Sequence, residues 1–329
     1  MLKKSLLAAP TLLLPRKSSA WTHGSPLTPP APALAVGFTK LAFYDDFNFA
    51  SIDFADTGNA GYNWYVNFTN GNGYADGGSF PPVTMSDVTV SSSILSLQNS
   101  AGNDGFQGLC SAKFNSNGTL KSGNVFQNGG FFNFVFRYDE TLAPTNVAAG
   151  GTSWPSVAFN TYSAFVQGTF PDAELDLFEA PPCGFGALPS CQGTDVGSVC
   201  NTNKQFNFNW RTTTLDTINA GVAVNGSFQT NGQNWNNMQT IGTLWMPMAK
   251  NGGTGYIKRY FGPSNGEMPI MYQTYTATGM TAFPNGGNSL TGPNTNGIFS
   301  TLDSQLNPLL LYGALDWPIL VDSVAVWTA

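Results

Sequence analysis

Between residues 129 and 138 the chain reads Gly-Gly-Phe-Phe-Asn-Phe-Val-Phe-Arg-Tyr. Phe132, Phe134 and Phe136 recur at every second position, the period at which a β-strand turns one face toward a core. Shorter apolar or alternating runs at 41–47, 88–97, 205–211, 239–246, 255–261, 309–312 and 319–327 also read as strands. Nowhere does a helix cap lead into a sustained 3.6-residue apolar period of more than about ten residues. With 37 Gly and 21 Pro for turns and 25 Phe and 11 Tyr for a core, the chain is expected to be all-β, built from many short strands. Its 329 residues permit one large β domain or two ordinary ones, with ample chain for a buried core.

Only 10% of the residues are charged, yet three acids crowd into Ala173-Glu174-Leu175-Asp176-Leu177-Phe178-Glu179-Ala180. In a strand, Glu174 and Asp176 share one face and Leu175 and Leu177 take the other. Glu179 is out of phase, and a β-bulge at Leu177-Phe178 would return it to the face of the other acids. The two glutamates would then stand roughly 13 Å apart at Cα, and their side chains could bring the carboxyls within about 5 Å. That separation is the one a retaining glycosidase uses. Glu174 would be the nucleophile, Glu179 the general acid and then base, and Asp176 the helper that hydrogen-bonds the nucleophile. Repulsion among three close carboxylates raises the proton affinity of one and keeps an acid available near neutral pH. The competing reading is a solvent-facing strand that merely alternates acids with core residues.

The Glu-x-Asp-x-x-Glu stretch resembles the signature of glycoside hydrolase family 16, the laminarinase and lichenase family. The resemblance extends over Asp45-Asp46-Phe47, Gly129-Gly130-Phe131-Phe132, Trp154-Pro155, Gly242-Thr243-Leu244-Trp245 and the closing run from Trp317-Pro318 to Trp327. It implies a concanavalin A-like β-jelly-roll sandwich of two antiparallel sheets with a concave substrate cleft. It also implies endo-type hydrolysis of β-linked polysaccharide with retention, by Glu174, Asp176 and Glu179. The bulged form is shared by laminarinase-like members and favours a β-1,3-glucan; galactan or agar hydrolysis and transglycosylation remain open through the same intermediate. Trp154, and with it Trp245 and Trp64, would stack on sugar rings, although each could equally pack the sandwich. Family members often hold a structural calcium between opening and closing strands, which would fall on Asp46 and Asp322; a solvated pair is the simpler alternative. Catalysis itself needs no cofactor. Family 7 cellulases carry a similar strand but many more disulfides than four cysteines allow.

Lys3, Lys4, the apolar run 6–14 and Ser18-Ser19-Ala20 predict a secretory signal over 1–20, although Arg16 and Lys17 interrupt its approach to the cleavage point. The run is too short to span a bilayer, and no other segment reaches that length. Residues 21–36 are Pro/Ala-rich and read as an extended tether, leaving 37–329 as the catalytic domain. The lone histidine, His23, lies in that tether, which argues against any His-dependent triad. Four cysteines, Cys110, Cys183, Cys191 and Cys200, beside an export signal point to disulfides, with three connectivities open. Their spacing lacks the short pairs of a zinc site. A net charge of −6 disfavours nucleic acid and anionic membrane surfaces as partners; the resemblance implies a polysaccharide substrate, bound by a secreted monomer. The alternatives are a lectin-like sandwich that binds glycan without cutting it, and a sandwich whose cleft is blocked by loops such as 181–203.

Overall fold

The computed structural model describes residues 27–47, 51–66, 88–97, 107–115, 119–138, 159–162, 172–176, 208–211, 238–253, 255–263, 270–276, 279–281, 302–313 and 319–329. They form an all-β sandwich of two sheets, with strands numbered in chain order. The larger sheet of nine runs β16 (Gly279–Thr281), β15 (Ile270–Thr276), β14 (Tyr256–Pro263), β13 (Gln239–Met246), β9 (Gly130–Tyr138), β18 (Ile319–Thr328), β5 (Ile94–Leu97) and β4 (Val88–Ser91). Its ninth member, β1 (Lys40–Asp45), also pairs with β18. The sheet of seven runs β12 (Phe208–Arg211), β11 (Asp172–Asp176), β10 (Phe159–Tyr162), β17 (Leu309–Gly313), β6 (Gln107–Cys110), β3 (Trp64–Tyr65) and β2 (Ile52–Asp53). A separate hairpin joins β7 (Ala112–Phe114) to β8 (Leu120–Gly123). Among the described residues, every strand pairing is antiparallel except β2 with β3.

The last strand of the chain is a hub: β18 pairs with β1, with β5 and along its length with β9. Residues 88–97, expected as one strand, fold back as the β4–β5 hairpin. Its two turn residues, Ser92 and Ser93, have φ of 51° and 61°, the left-handed conformation that a two-residue hairpin turn requires. Gly or Asn usually supplies that conformation, so two serines give no turn signal.

Between the sheets runs a chain of aromatic contacts. Phe43 of β1 meets Trp64 of β3 edge to face at 5.3 Å and Phe126 at 6.4 Å. Phe126 meets Phe132 of β9 at 5.5 Å, and Phe132 stacks on Trp245 of β13 at 6.4 Å. Such pairs each contribute about 0.5–1.5 kcal/mol beyond the area they bury. Phe126 is itself held by Asn307, whose side-chain amide donates to the carbonyls of Phe126 at 2.8 Å and Leu302 at 2.7 Å.

The alternation in β9 predicts one buried face, and Phe132, Phe134 and Phe136 are all fully buried. Phe131, on the opposite face, is fully buried too. Its cover comes from the segment expected to be a free tether. Ala31–Leu34 forms a helical turn, α1, with proline in its first turn, where the missing N–H costs nothing. From there Ala33 and Phe38 pack into a cluster with Phe131, Leu244, Met246 and Trp327. Lys250 places its ammonium 5.2 Å from the centre of the Phe38 ring. Residues 31–36 therefore belong to the domain, because apolar surface on the outside of the large sheet needs a lid. Phe38→Ala is expected to destabilise the protein by roughly 3–5 kcal/mol in urea unfolding; an unchanged midpoint would show that the strap is incidental.

Candidate active site

Strand β11 lies between β10 and β12, and its register decides what surrounds the acids. Glu174 is opposite Tyr162 on one side and Asn209 on the other; Asp176 is opposite Asn160, and Asp172 is opposite Arg211. Directly paired residues share a face of the sheet. Those seven positions therefore form one polar face across three strands. Of the alternate positions, Phe208, Trp210, Ala173, Leu175 and Phe159 are apolar and only Thr161 is polar.

Continuing the register identifies which face is which. Asp176 pairs with Asn160, Asn160 with Leu310, Leu310 with Cys110, Cys110 with Tyr65 and Tyr65 with Asp53. The acids thus share a face with Tyr65. Trp64, the next residue along, packs on Phe43 of the other sheet. Glu174 and Asp176 consequently lie on the face turned away from the sandwich core. Asn160, Tyr162, Asn209 and Arg211 carry no motif of their own, and only strand register assembles them around the acids.

Glu179, the expected bulge at Leu177-Phe178, Trp154, Cys183, Cys191, Cys200 and the expected signal segment lie outside the described residues. Trp64 and Trp245, expected as sugar platforms, are core residues: both rings are fully buried. Their polar edges are accounted for as well. Trp64 Nε1 donates to Asp45 Oδ2 at 2.7 Å, and Trp245 Nε1 donates to Asp303 Oδ1 at 3.1 Å. Asp45 is buried in turn, and its carboxylate also accepts from the Phe47 amide at 2.8 Å and from Asn63 Nδ2 at 3.2 Å. Burial pushes its pKa up, and these hydrogen bonds pull it part of the way back. Asp303 is raised by burial too, and accepts from the Met248 amide at 2.8 Å.

Cys110, expected in a disulfide, is a free thiol enclosed between β17 and β3. Burial pushes its pKa up to about 12, which suppresses the thiolate and its reactivity.

Asp46 and Asp322 do come together beside Tyr44. Burial raises the pKa of Asp322, and the neighbouring Asp46 charge raises it further. The Tyr44 hydroxyl is pushed up by burial and then by the Asp46 and Asp322 charges. Asp322 sits where β18 slips register against β9 between Val321 and Ser323, so a bulge displaces it from the ladder. Among the described residues, no three His, Cys, Asp or Glu side chains converge on one point. Two repelling carboxylates fit a divalent cation that finds its remaining oxygens in backbone or water.

No family model matches the chain, and no curated protein matches it. Solved structures with which it shares similarity include one described under endo-acting O-glycanases of the human gut microbiota that initiate mucin breakdown. That pair has 13% identity and a TM-score of 0.47 over 92% of this chain and 94% of the other. Alginate lyase Aly36B has 11% identity and a TM-score of 0.37 over 79% and 94%. The lectin from Bauhinia forficata in complex with GalNAc has 10% identity and a TM-score of 0.29 over 75% and 94%. Likenesses this distant say nothing of substrate or chemistry.

Trp64→Phe keeps the ring but removes a donor from a buried carboxylate. It is expected to cost about 1–3 kcal/mol in unfolding experiments. An unchanged urea midpoint would show that the Trp64–Asp45 hydrogen bond contributes nothing to the fold. Asp322 gives a pH prediction. Its folded pKa lies above the unfolded value of about 3.9, so the folded state binds the extra proton and stability falls as pH rises through that window. In EDTA, Asp322→Asn should therefore raise the melting temperature at pH 7 and have little effect below pH ~4. A destabilised variant at pH 7 would contradict this sign.

Proposed function

We propose that the chain is a secreted, retaining glycosidase of the family 16 type, acting on a β-linked polysaccharide, with β-1,3-glucan the preferred substrate. The observation that carries the reading is the register of β11. It puts Glu174 and Asp176 on the face away from the core, flanked by polar positions of both neighbouring strands. A strand this acidic in a chain with 10% charged residues is hard to justify by folding alone.

In the proposed mechanism Glu174 attacks the anomeric carbon while Glu179 gives its proton to the departing glycosidic oxygen. Glu179, now a carboxylate, takes a proton from water, and the resulting attack on the anomeric carbon releases Glu174 with overall retention. A sugar hydroxyl replacing that water would give transglycosylation. Asp176, between the two glutamates, would hydrogen-bond the Glu174 carboxyl and hold the pair at different proton affinities. No metal enters these steps. Asp46 and Asp322 would hold a calcium ion that ties β1 to β18 and relieves their repulsion. Millimolar calcium should then raise the melting temperature of the parent and leave an Asp46→Asn, Asp322→Asn double variant unmoved.

The decisive experiment is reducing-sugar release from laminarin, mixed-linkage glucan, agarose, carrageenan, galactan and xyloglucan. Parent activity on laminarin that falls by roughly 10⁴-fold or more in Glu174→Gln is the expected outcome. Equal activity in the variant would remove Glu174 as nucleophile. Binding of a glycan without cleavage by the parent would make the protein a lectin-like sandwich instead.

A further inference from the structure

The large sheet ends at β4 with an unguarded edge. A sheet edge presents a row of unpaired N–H and C=O groups, and proteins usually blunt it with a lysine, a proline, a bulge or a very short strand. Among the described strands the other three edges are short or charged: β16 has three residues, β2 has two, and β12 ends on Arg211. The fourth carries none of these devices. Val88-Thr89-Val90-Ser91 has no charge and no proline, and it pairs with β5 in unbroken register from Val88 opposite Leu97 to Ser91 opposite Ile94. No described strand pairs with β4 on its other side.

The side chains along this edge are open too. Directly paired residues share a face, so Val88 and Val90 lie on the core side with Leu97 and Leu95, and Thr89 and Ser91 lie on the outer side. Val88, Leu95 and Leu97 are buried, whereas Val90 is 37% exposed and Thr89 and Ser91 are exposed. Val90 thus faces the core side yet is left uncovered where the sheet stops beside it. With a net charge of −6, two copies of the chain repel at long range, and an uncharged strand is where they approach at least cost.

We propose that β4 pairs with β4 of a second copy of this chain, antiparallel about a two-fold axis, so that the large sheets of two sandwiches become continuous. The strand is self-complementary in one register. With the axis at Thr89, Val88 stands opposite the partner's Val90 on the core side, and Thr89 stands opposite the partner's Thr89 on the outer side. β-Branched side chains then meet β-branched ones, threonine meets threonine, and no like charges face each other. An axis at Val90 would instead bring Val88 against the partner's Ser92, whose φ of 51° takes it out of the strand. A contact of four residues a side is small, so the dimer is reversible and depends on concentration. Under the function proposed above, each dimer would carry two acid-bearing strands and hold a long polysaccharide at two points.

Sedimentation equilibrium of the full chain should show its mass rising from one copy toward two as concentration increases to about 1 mM. Thr89→Lys sets two ammonium groups against each other on the axis. It should hold the mass at one copy throughout and leave the melting temperature unchanged, because Thr89 is exposed. A second arm reads the register. Opposed residues of an antiparallel pair stand about 4.5–5.5 Å apart at Cα, within the reach of a disulfide. Thr89→Cys should therefore give a disulfide-linked dimer under mild oxidation. Ser91→Cys should not, since its two copies would lie about 13 Å apart along the strands. A one-copy mass at every concentration, a dimer that Thr89→Lys leaves intact, or equal cross-linking by both cysteine variants would overturn the proposal. Neither arm involves a glycan, so failure of the glycosidase reading leaves both outcomes legible.

Discussion

One buried carboxylate ties the two sheets to each other. Asp45 ends β1 in the large sheet and accepts from the indole of Trp64 in the small one at 2.7 Å. Taking that carboxylate out of water is costly, and its raised proton affinity is the trace of that cost. Donors from Phe47, Asn63 and Trp64 surround it and offset the penalty. The arrangement also explains why Phe47 tolerates a φ of 52°: its amide is bonded to Asp45 and its ring stacks on Trp64 at 6.2 Å. With that link in place, Trp64 is aimed inward, Tyr65 outward, and the whole row from Tyr65 to Asp176 is assigned to the outer face.

A sandwich sheet ordinarily shows one face to its partner and one to water. This protein departs from that pattern twice. The outer surface of the large sheet is capped by α1 and Phe38, and the outer surface of the small sheet is capped from β17 to β2. The apolar content of the chain is thus distributed over three layers of contact, which suits a protein so poor in charge.

Much of this architecture is legible in the residues. The alternation of Phe132, Phe134 and Phe136 locates β9 to within one residue, and the apolar runs locate β13, β17 and β18 nearly as well, because long buried strands announce themselves by period. Glu174 and Asp176 are readable as neighbours on one face for the same reason. The illegible part is long-range. Nothing local says that Asn209 and Tyr162 flank Glu174, because register between strands is set by their packing. Nor does period two say which side of a strand is the core, and so Trp64 and Trp245 read equally as sugar platforms or as packing rings until the fold shows both to be interior. The Pro/Ala composition of residues 31–36 resembles a linker; only Phe131, waiting for a cover a hundred residues away, gives it a place.

The hub role of β18 has a temporal consequence. Lys40 near the start of the domain pairs with Thr328 beside its end, and β9, at the centre of the large sheet, takes one of its two neighbours from the same last strand. During synthesis at about 5–20 residues per second, neither β1 nor β9 can be completed until β18 has emerged, long after both have been made. Until then β1 has no partner in the sheet, and β9 has only β13.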